Sequence, residues 1–169
     1  MAHIYEKYIT EAEKLFEDEM IDEAERLLVD VLYDEPDFAM AHNHLGWLYL
    51  YKKENWSKAE MHLKYSLKFD KEYAPAYLHL GSLLWKQDKL AAAEEIYKKG
   101  IVTKDADKST FYEQLGLLYE VKGKYRKAIK SLEKAILSST NTWLVDNCKD
   151  AISRIRKKRR IKFWSFFKL

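Results

Sequence analysis

Small and apolar residues recur along this chain at offsets that fit one face of a helix. Ala24, Ala59, Ala93 and Ala128 are each followed four residues later by Leu28, Leu63, Tyr97 or Leu132. Seven residues after each alanine come Val31, Ser66, Gly100 and Ala135, mostly small. Offsets of 4 and 7 share a helical face, so each alanine marks the buried side of a helix. A second register precedes the last three of these: Leu45-Gly46, Leu80-Gly81 and Leu115-Gly116 stand 35 residues apart, with Tyr49, Leu84 and Tyr119 three residues after the glycines. Three of the five glycines therefore occupy one repeated position. The pattern predicts helices over 3–18, 22–34, 38–52, 56–69, 74–87, 89–103, 108–122 and 125–138. A ninth begins near 141, its stripe carried by Leu144, Cys148, Ile152 and Ile155. With only two prolines there are few places for other structure. Pro75 suits a helix start, and Gly123 suits the turn after the seventh helix.

Taken together, the two registers resemble the tetratricopeptide repeat, W-x2-L-G-x2-Y followed by A-x3-F, then A, then P. The units read 5–38, 39–73, 74–108 and 109–142, with 143–160 as a capping helix and 161–169 as a basic, aromatic tail. The first unit is degenerate, with Glu11-Ala12 where the others carry Leu-Gly, and the second has one extra residue near Glu54-Asn55. The resemblance implies an all-α fold in which antiparallel helix pairs stack into a right-handed superhelix. Gly46, Gly81 and Gly116 would then let paired helices approach closely. A repeat array needs its last apolar face covered, which is the expected role of the ninth helix.

In such a superhelix the first helix of each pair lines a concave groove. Positions two and three before the repeated glycine, and one, four and five after it, are the expected lining. Repeat one then offers Ile9, Thr10, Glu13, Phe16 and Glu17, and repeat two Asn43, His44, Trp47, Leu50 and Tyr51. Repeat three offers Leu78, His79, Ser82, Trp85 and Lys86, and repeat four Glu113, Gln114, Leu117, Glu120 and Val121. Trp47, Tyr51 and Trp85 on this side suggest binding anchors; the same aromatics can instead pack on neighbouring helices. One subset of the family clamps a terminal carboxylate between Lys, Asn and Arg. Here Asn43 is present, but Ile9, His79, Thr110 and Gln114 stand where the other partners would lie, which disfavours that ligand.

Candidate chemistry changes the picture little. His44 and His79 hold equivalent places, yet no H-x3-H or H-E-x2-H spacing occurs, so no metal or other cofactor is expected. No phosphate-binding glycine loop and no nucleophile motif appear, and the expected role is protein or peptide binding without catalysis. Cys148 is the single cysteine, no secretory leader is visible, and no stretch approaches the ~20 apolar residues of a membrane span. These features point to the cytoplasm.

Charge is distributed unevenly. Residues 1–38 hold thirteen acidic and three basic side chains, whereas residues 143–169 hold two acidic and nine basic ones. Arg156, Lys157, Lys158, Arg159 and Arg160 are followed by Phe163, Trp164, Phe166 and Phe167. Four readings of this segment stay open: packing on the repeats, an anionic membrane surface, nucleic acid, or an import signal. The groove's own chemistry suits a basic, aromatic or aliphatic partner segment. The charge asymmetry suggests self-association, with the tail of one molecule on the acidic repeats of its own chain or a neighbour's.

Overall fold

The computed structural model describes residues 2–165, with side chains from 5 to 161. Nine helices are present among them: α1 (Ala2–Glu17), α2 (Ile21–Asp34), α3 (Ala39–Tyr51), α4 (Trp56–Phe69), α5 (Ala74–Lys86), α6 (Leu90–Ile101), α7 (Lys108–Val121), α8 (Tyr125–Ser138) and α9 (Thr142–Ser165). Successive helices pack on each other, and α3 also packs on α1 and α5, as in a stack of helix pairs. α9 lies on α8 and α7 and covers the last pair. It runs past residue 160, where the sequence pattern ends the cap. Phe163 and Trp164 fall within it, but their side chains lie outside the described residues, as do Phe166 and Phe167 entirely.

The repeated glycines are where paired helices touch. A Cβ on Gly46 would lie 2.6 Å from Leu63, and one on Gly116 would lie 2.6 Å from Leu132. A Cβ on Gly81 would lie 2.3 Å from the Tyr97 ring. Leu63, Tyr97 and Leu132 are the residues four after the marker alanines, and all three are fully buried. Each such side chain contributes roughly 1.5–3 kcal/mol by leaving water. The two sequence registers are therefore the two halves of one contact. Gly100 also sits at the seam between pairs, where a Cβ would meet Phe111 of the next repeat as well as Tyr77 of its own.

Each helix pair turns on one residue with positive φ: Glu19 (57°), Glu54 (50°), Asp88 (58°) and Gly123 (66°). Beyond it, a backbone N–H closes the first helix by bonding to a carbonyl five residues back, as in Met20 to Leu15, Lys89 to Leu84 and Lys124 to Tyr119. This is the left-handed helix-ending motif in which glycine is ordinarily favoured. In the second repeat the span is six residues, Asn55 to Tyr49, which locates the extra residue in this turn. Asn55 and Asp107 then cap the next helices, their side chains accepting from the N–H groups of Lys58 and Ser109 at 3.1 Å.

Candidate functional site

α1, α3, α5 and α7 lie side by side and place Trp47 and His79 at the centre of a continuous groove. Toward α1, a cavity of about 350 Å³ is lined by Glu13, Phe16, Glu17, Asn43, His44, Trp47 and His79. Toward α7, a second one of about 520 Å³ is lined by Trp47, Tyr51, Lys52, Leu78, His79, Ser82 and Gln114. The shared Trp47 and His79 make these two halves of one surface.

Its apolar wall is a run of rings. Phe16 and Trp47 are 4.8 Å apart between centroids, Trp47 and Tyr51 5.8 Å, and Tyr51 meets His79 edge-on at 6.1 Å. Phe16 also stacks on His44 at 6.4 Å. Spacings of this kind are the favourable ones for aromatic pairs. The ammonium of Lys86 lies 5.7 Å above the Tyr51 ring, and that of Lys52 lies 6.0 Å from Trp47. Tyr51 keeps 40% of its surface exposed, a large aromatic left open to a partner.

The polar features are few and specific. His44 bridges helices, its Nδ1 facing the Met40 carbonyl at 2.8 Å and its Nε2 facing a Glu13 carboxylate oxygen at 3.2 Å. Ser82 donates to the Leu78 carbonyl at 3.0 Å. Among the described residues, Asn43 Oδ1 and His79 Nδ1 are buried without a hydrogen-bond partner. Burial pushes the His79 imidazole down to about 4, with His44 adding to the effect, so the ring is neutral near pH 7. Ser66 Oγ and Gln87 Oε1, which line neither cavity, are likewise buried without a partner among the described residues.

The sequence-predicted lining divides by position. Residues two, three and one from the repeated glycine largely converge on the groove, as does Tyr51. Residues four after it turn inward. Leu50 is wholly buried and belongs to the core, so its expected place in the groove is corrected. Phe16 is nearly as buried but keeps an edge on the cavity. Trp85 is half-buried against the second half of the core. Glu120 is buried and committed: Arg154 grips it with two bonds of 3.0 and 2.8 Å, and Lys158 adds a third at 2.7 Å. The reason is geometric, since the fourth residue on from the glycine is only about 40° around the helix from that buried position. Glu113 is partly buried and its carboxyl is raised by burial, and neither it nor Lys86 lines the two cavities.

Two clusters join residues that the sequence reading had not paired. One is the Glu120–Arg154–Lys158 network, which uses two cations of the basic segment to hold α9 on α7 of its own chain. The other is a histidine pair between α3 and α4. His42 Nε2 lies 3.0 Å from the Pro36 carbonyl, which can only accept, so this nitrogen donates. His42 Nδ1 then accepts from His62 Nδ1–H, also at 3.0 Å. Burial lowers both, His62 to about 4. Among the described residues, no three His, Cys, Asp or Glu side chains are grouped as metal ligands. No helix there is long and apolar enough to cross a membrane.

The stacked pairs with a ring-lined concavity define a helical-repeat solenoid. The sequence model for the tetratricopeptide repeat matches residues 74–101 and 109–142, so the third and fourth helix pairs are tetratricopeptide repeats and the first two repeat their fold. The chain's fold is shared by several solved structures. PilF of Pseudomonas aeruginosa superposes with a TM-score of 0.85 at 19% identity, over 94% of this chain and 70% of that one. MamA gives 0.65 at 24% identity, over 96% and 95% of the two chains. TTC0263, a thermophilic protein of Thermus thermophilus, gives 0.75 at 18% identity, over 86% and 79%. None of the curated proteins matches the sequence. The fold suggests a protein-interaction module.

Proposed function

We propose that this chain is a non-catalytic adaptor or scaffold of the cytoplasm that holds a segment of a partner protein in the groove between α1 and α7. The observation that carries this reading is the pairing of an open ring wall with two unsatisfied polar atoms. Asn43 Oδ1 needs a donor, and His79 Nδ1, on a neutral ring, takes a donor or an acceptor according to tautomer. A peptide backbone offers both, and aromatic or aliphatic side chains would cover Trp47 and Tyr51. Glu13 and Glu17 at the α1 end favour a Lys or Arg in the segment. Panning random dodecapeptides on the intact chain tests this. Captured peptides should combine a basic residue with an aromatic or aliphatic one. They should lose at least ~10-fold in affinity on Trp47→Ala plus Tyr51→Ala, the loss of one hot-spot contact or more, and keep it without residues 161–169. Binding that survives the double variant sinks the groove reading.

A second reading rests on the basic segment. Arg156, Lys157, Arg159 and Arg160 have no acidic partner among the described residues, unlike Arg154 and Lys158. Such a row suits an anionic membrane surface or a nucleic acid. Salt-sensitive binding to anionic vesicles or RNA, lost with residues 156–169 and indifferent to Trp47→Ala, would favour it over the groove.

A further inference from the structure

A second groove lies on the opposite side of α7 from Gln114, between α6 and α8, and encloses about 320 Å³. Its floor is Ile101, Tyr112, Leu115 and Tyr119, and its α8 rim carries Lys127, Lys130 and Lys134. Two of these lysines lie against the tyrosines, Lys134 at 5.1 Å from the Tyr112 centroid and Lys127 at 5.8 Å from Tyr119. None of the three has a carboxylate partner among the described residues. Glu94, the acid beside the groove, is taken by Lys98, Lys122 and the Tyr119 hydroxyl. What remains is an apolar, aromatic floor under an uncompensated row of positive charge.

The complementary surface is at the other end of the same chain. The outer face of α2 exposes Glu23, Asp30 and Asp34, with no ion-pair partner among the described residues, beside one cation, Arg26. Among them stand Tyr33, 87% exposed, and Val29, 48% exposed. The spacings agree. Glu23 and Asp30 are seven residues apart, as are Lys127 and Lys134; Asp30 and Asp34 are four apart, as are Lys130 and Lys134. Two turns rise ~10.5 Å on either helix, so in each of these alignments two carboxylates can meet two ammonium groups while Tyr33 enters the floor. α2 and α8 belong to the first and last repeats and do not pack on each other within a chain.

We propose that the α2 face of one copy docks in the lysine–tyrosine groove of a second copy. The contact is heterologous, so it propagates head to tail. It uses neither the concave groove nor the end of α9, and it stands whether or not the peptide-binding reading does.

Sedimentation of the full chain tests it, at about 0.1 M and 1 M salt, where the screening length falls from ~10 to ~3 Å. The expected result is association at low salt that weakens by at least ~10-fold at high salt. Lys127→Glu/Lys130→Glu/Lys134→Glu and Glu23→Lys/Asp30→Lys/Asp34→Lys should each abolish it while keeping the parent circular dichroism. Mixed together, the two variants should restore a complex, because the acidified groove now faces a basic α2. Trp47→Ala, or removal of residues 161–169, should leave association unchanged. A parent that stays monomeric at both salts overturns the proposal. So does association indifferent to either triple variant, a mixture that fails to restore it, or dependence on residues 161–169.

Discussion

Gly81→Ala isolates the contact on which the repeat register depends. The added Cβ would sit 2.3, 2.6 and 2.8 Å from three atoms of the Tyr97 ring, inside any real contact distance. The ring cannot swing away freely. It is fully buried, meets Phe111 edge-on at 6.4 Å, and its hydroxyl lies 3.3 Å from Ser82 Oγ. Overpacking a core by one carbon costs ~1–3 kcal/mol. Losing the hydroxyl contact adds ~1 kcal/mol, and the helix propensity of alanine over glycine returns ~1 kcal/mol. The expected net effect is a loss of about 1–3 kcal/mol, read as a lower urea midpoint with an unchanged slope. A cycle with Tyr97→Ala makes the test specific. That variant empties the space, so Gly81→Ala placed on it should become neutral or stabilising by up to ~1 kcal/mol. If Gly81→Ala unfolds at the parent's midpoint, or costs the same in both backgrounds, the glycine–tyrosine contact is not what sets the helix spacing.

Asp88→Gly should stabilise by ~0.5–1 kcal/mol in the same assay, since Asp88 holds φ at 58° in a turn where the fourth repeat already uses Gly123. Arg154→Ala should cost ~1–2 kcal/mol, because it leaves a buried Glu120 carboxylate with one cation instead of two. The Arg154 hydrogen bonds, ahead of opposing burial, hold Glu120 down to about 2, so the stability this network supplies is present above the unfolded value of 4.5 and is lost as pH falls through 2. The histidines act at higher pH. His79, held to about 4 against 6.5 when unfolded, leaves the unfolded chain binding the extra proton, so stability falls as pH drops from 6.5 toward 4, by up to ~3 kcal/mol. Denaturation midpoints at pH 7 and pH 5 should differ in the parent, and by less in His79→Gln.

The fold was legible because its seams are made of residue types. A glycine against a leucine or tyrosine recurs at a fixed offset, and no other arrangement explains Gly46, Gly81 and Gly116 with Leu63, Tyr97 and Leu132. The groove was legible only in part, because a linear offset does not say how far around the helix the buried arc extends. Leu50 and Glu120 fall just inside that arc, and Asn43 sits on its edge. The turns show the converse. Glu19, Glu54 and Asp88 repeat Gly123 in backbone conformation but not in residue type, so composition gave no sign of them. The His42–His62 bond joins residues twenty apart on different helices, and the Arg154–Glu120 bond joins residues thirty-four apart. Neither follows from periodicity, since both depend on how a helix leans on its neighbour.

The repeat architecture also explains how one short chain carries surfaces of opposite sign. Stacking needs only the inner faces: the glycine seam within a pair and the small-residue seam between pairs. The outer faces of the second helices are therefore free to vary. α2 holds five acidic residues and one basic, whereas α8 holds four basic and one acidic. The intermediate helices are less biased: α4 has three bases and one acid, and α6 two of each. The two ends of the stack thus differ in sign without disturbing the core. Such a polarity gives the molecule a direction, which a uniformly charged repeat stack lacks. The concave groove lies across that polarity, with Glu13 and Glu17 at its α1 end and the Arg154-bound Glu120 closing the repertoire of free acids toward α7. On the proposed reading, a segment entering the groove with its basic residue leading would be drawn toward α1, so Glu13 and Glu17 would set its orientation as well as add to its affinity.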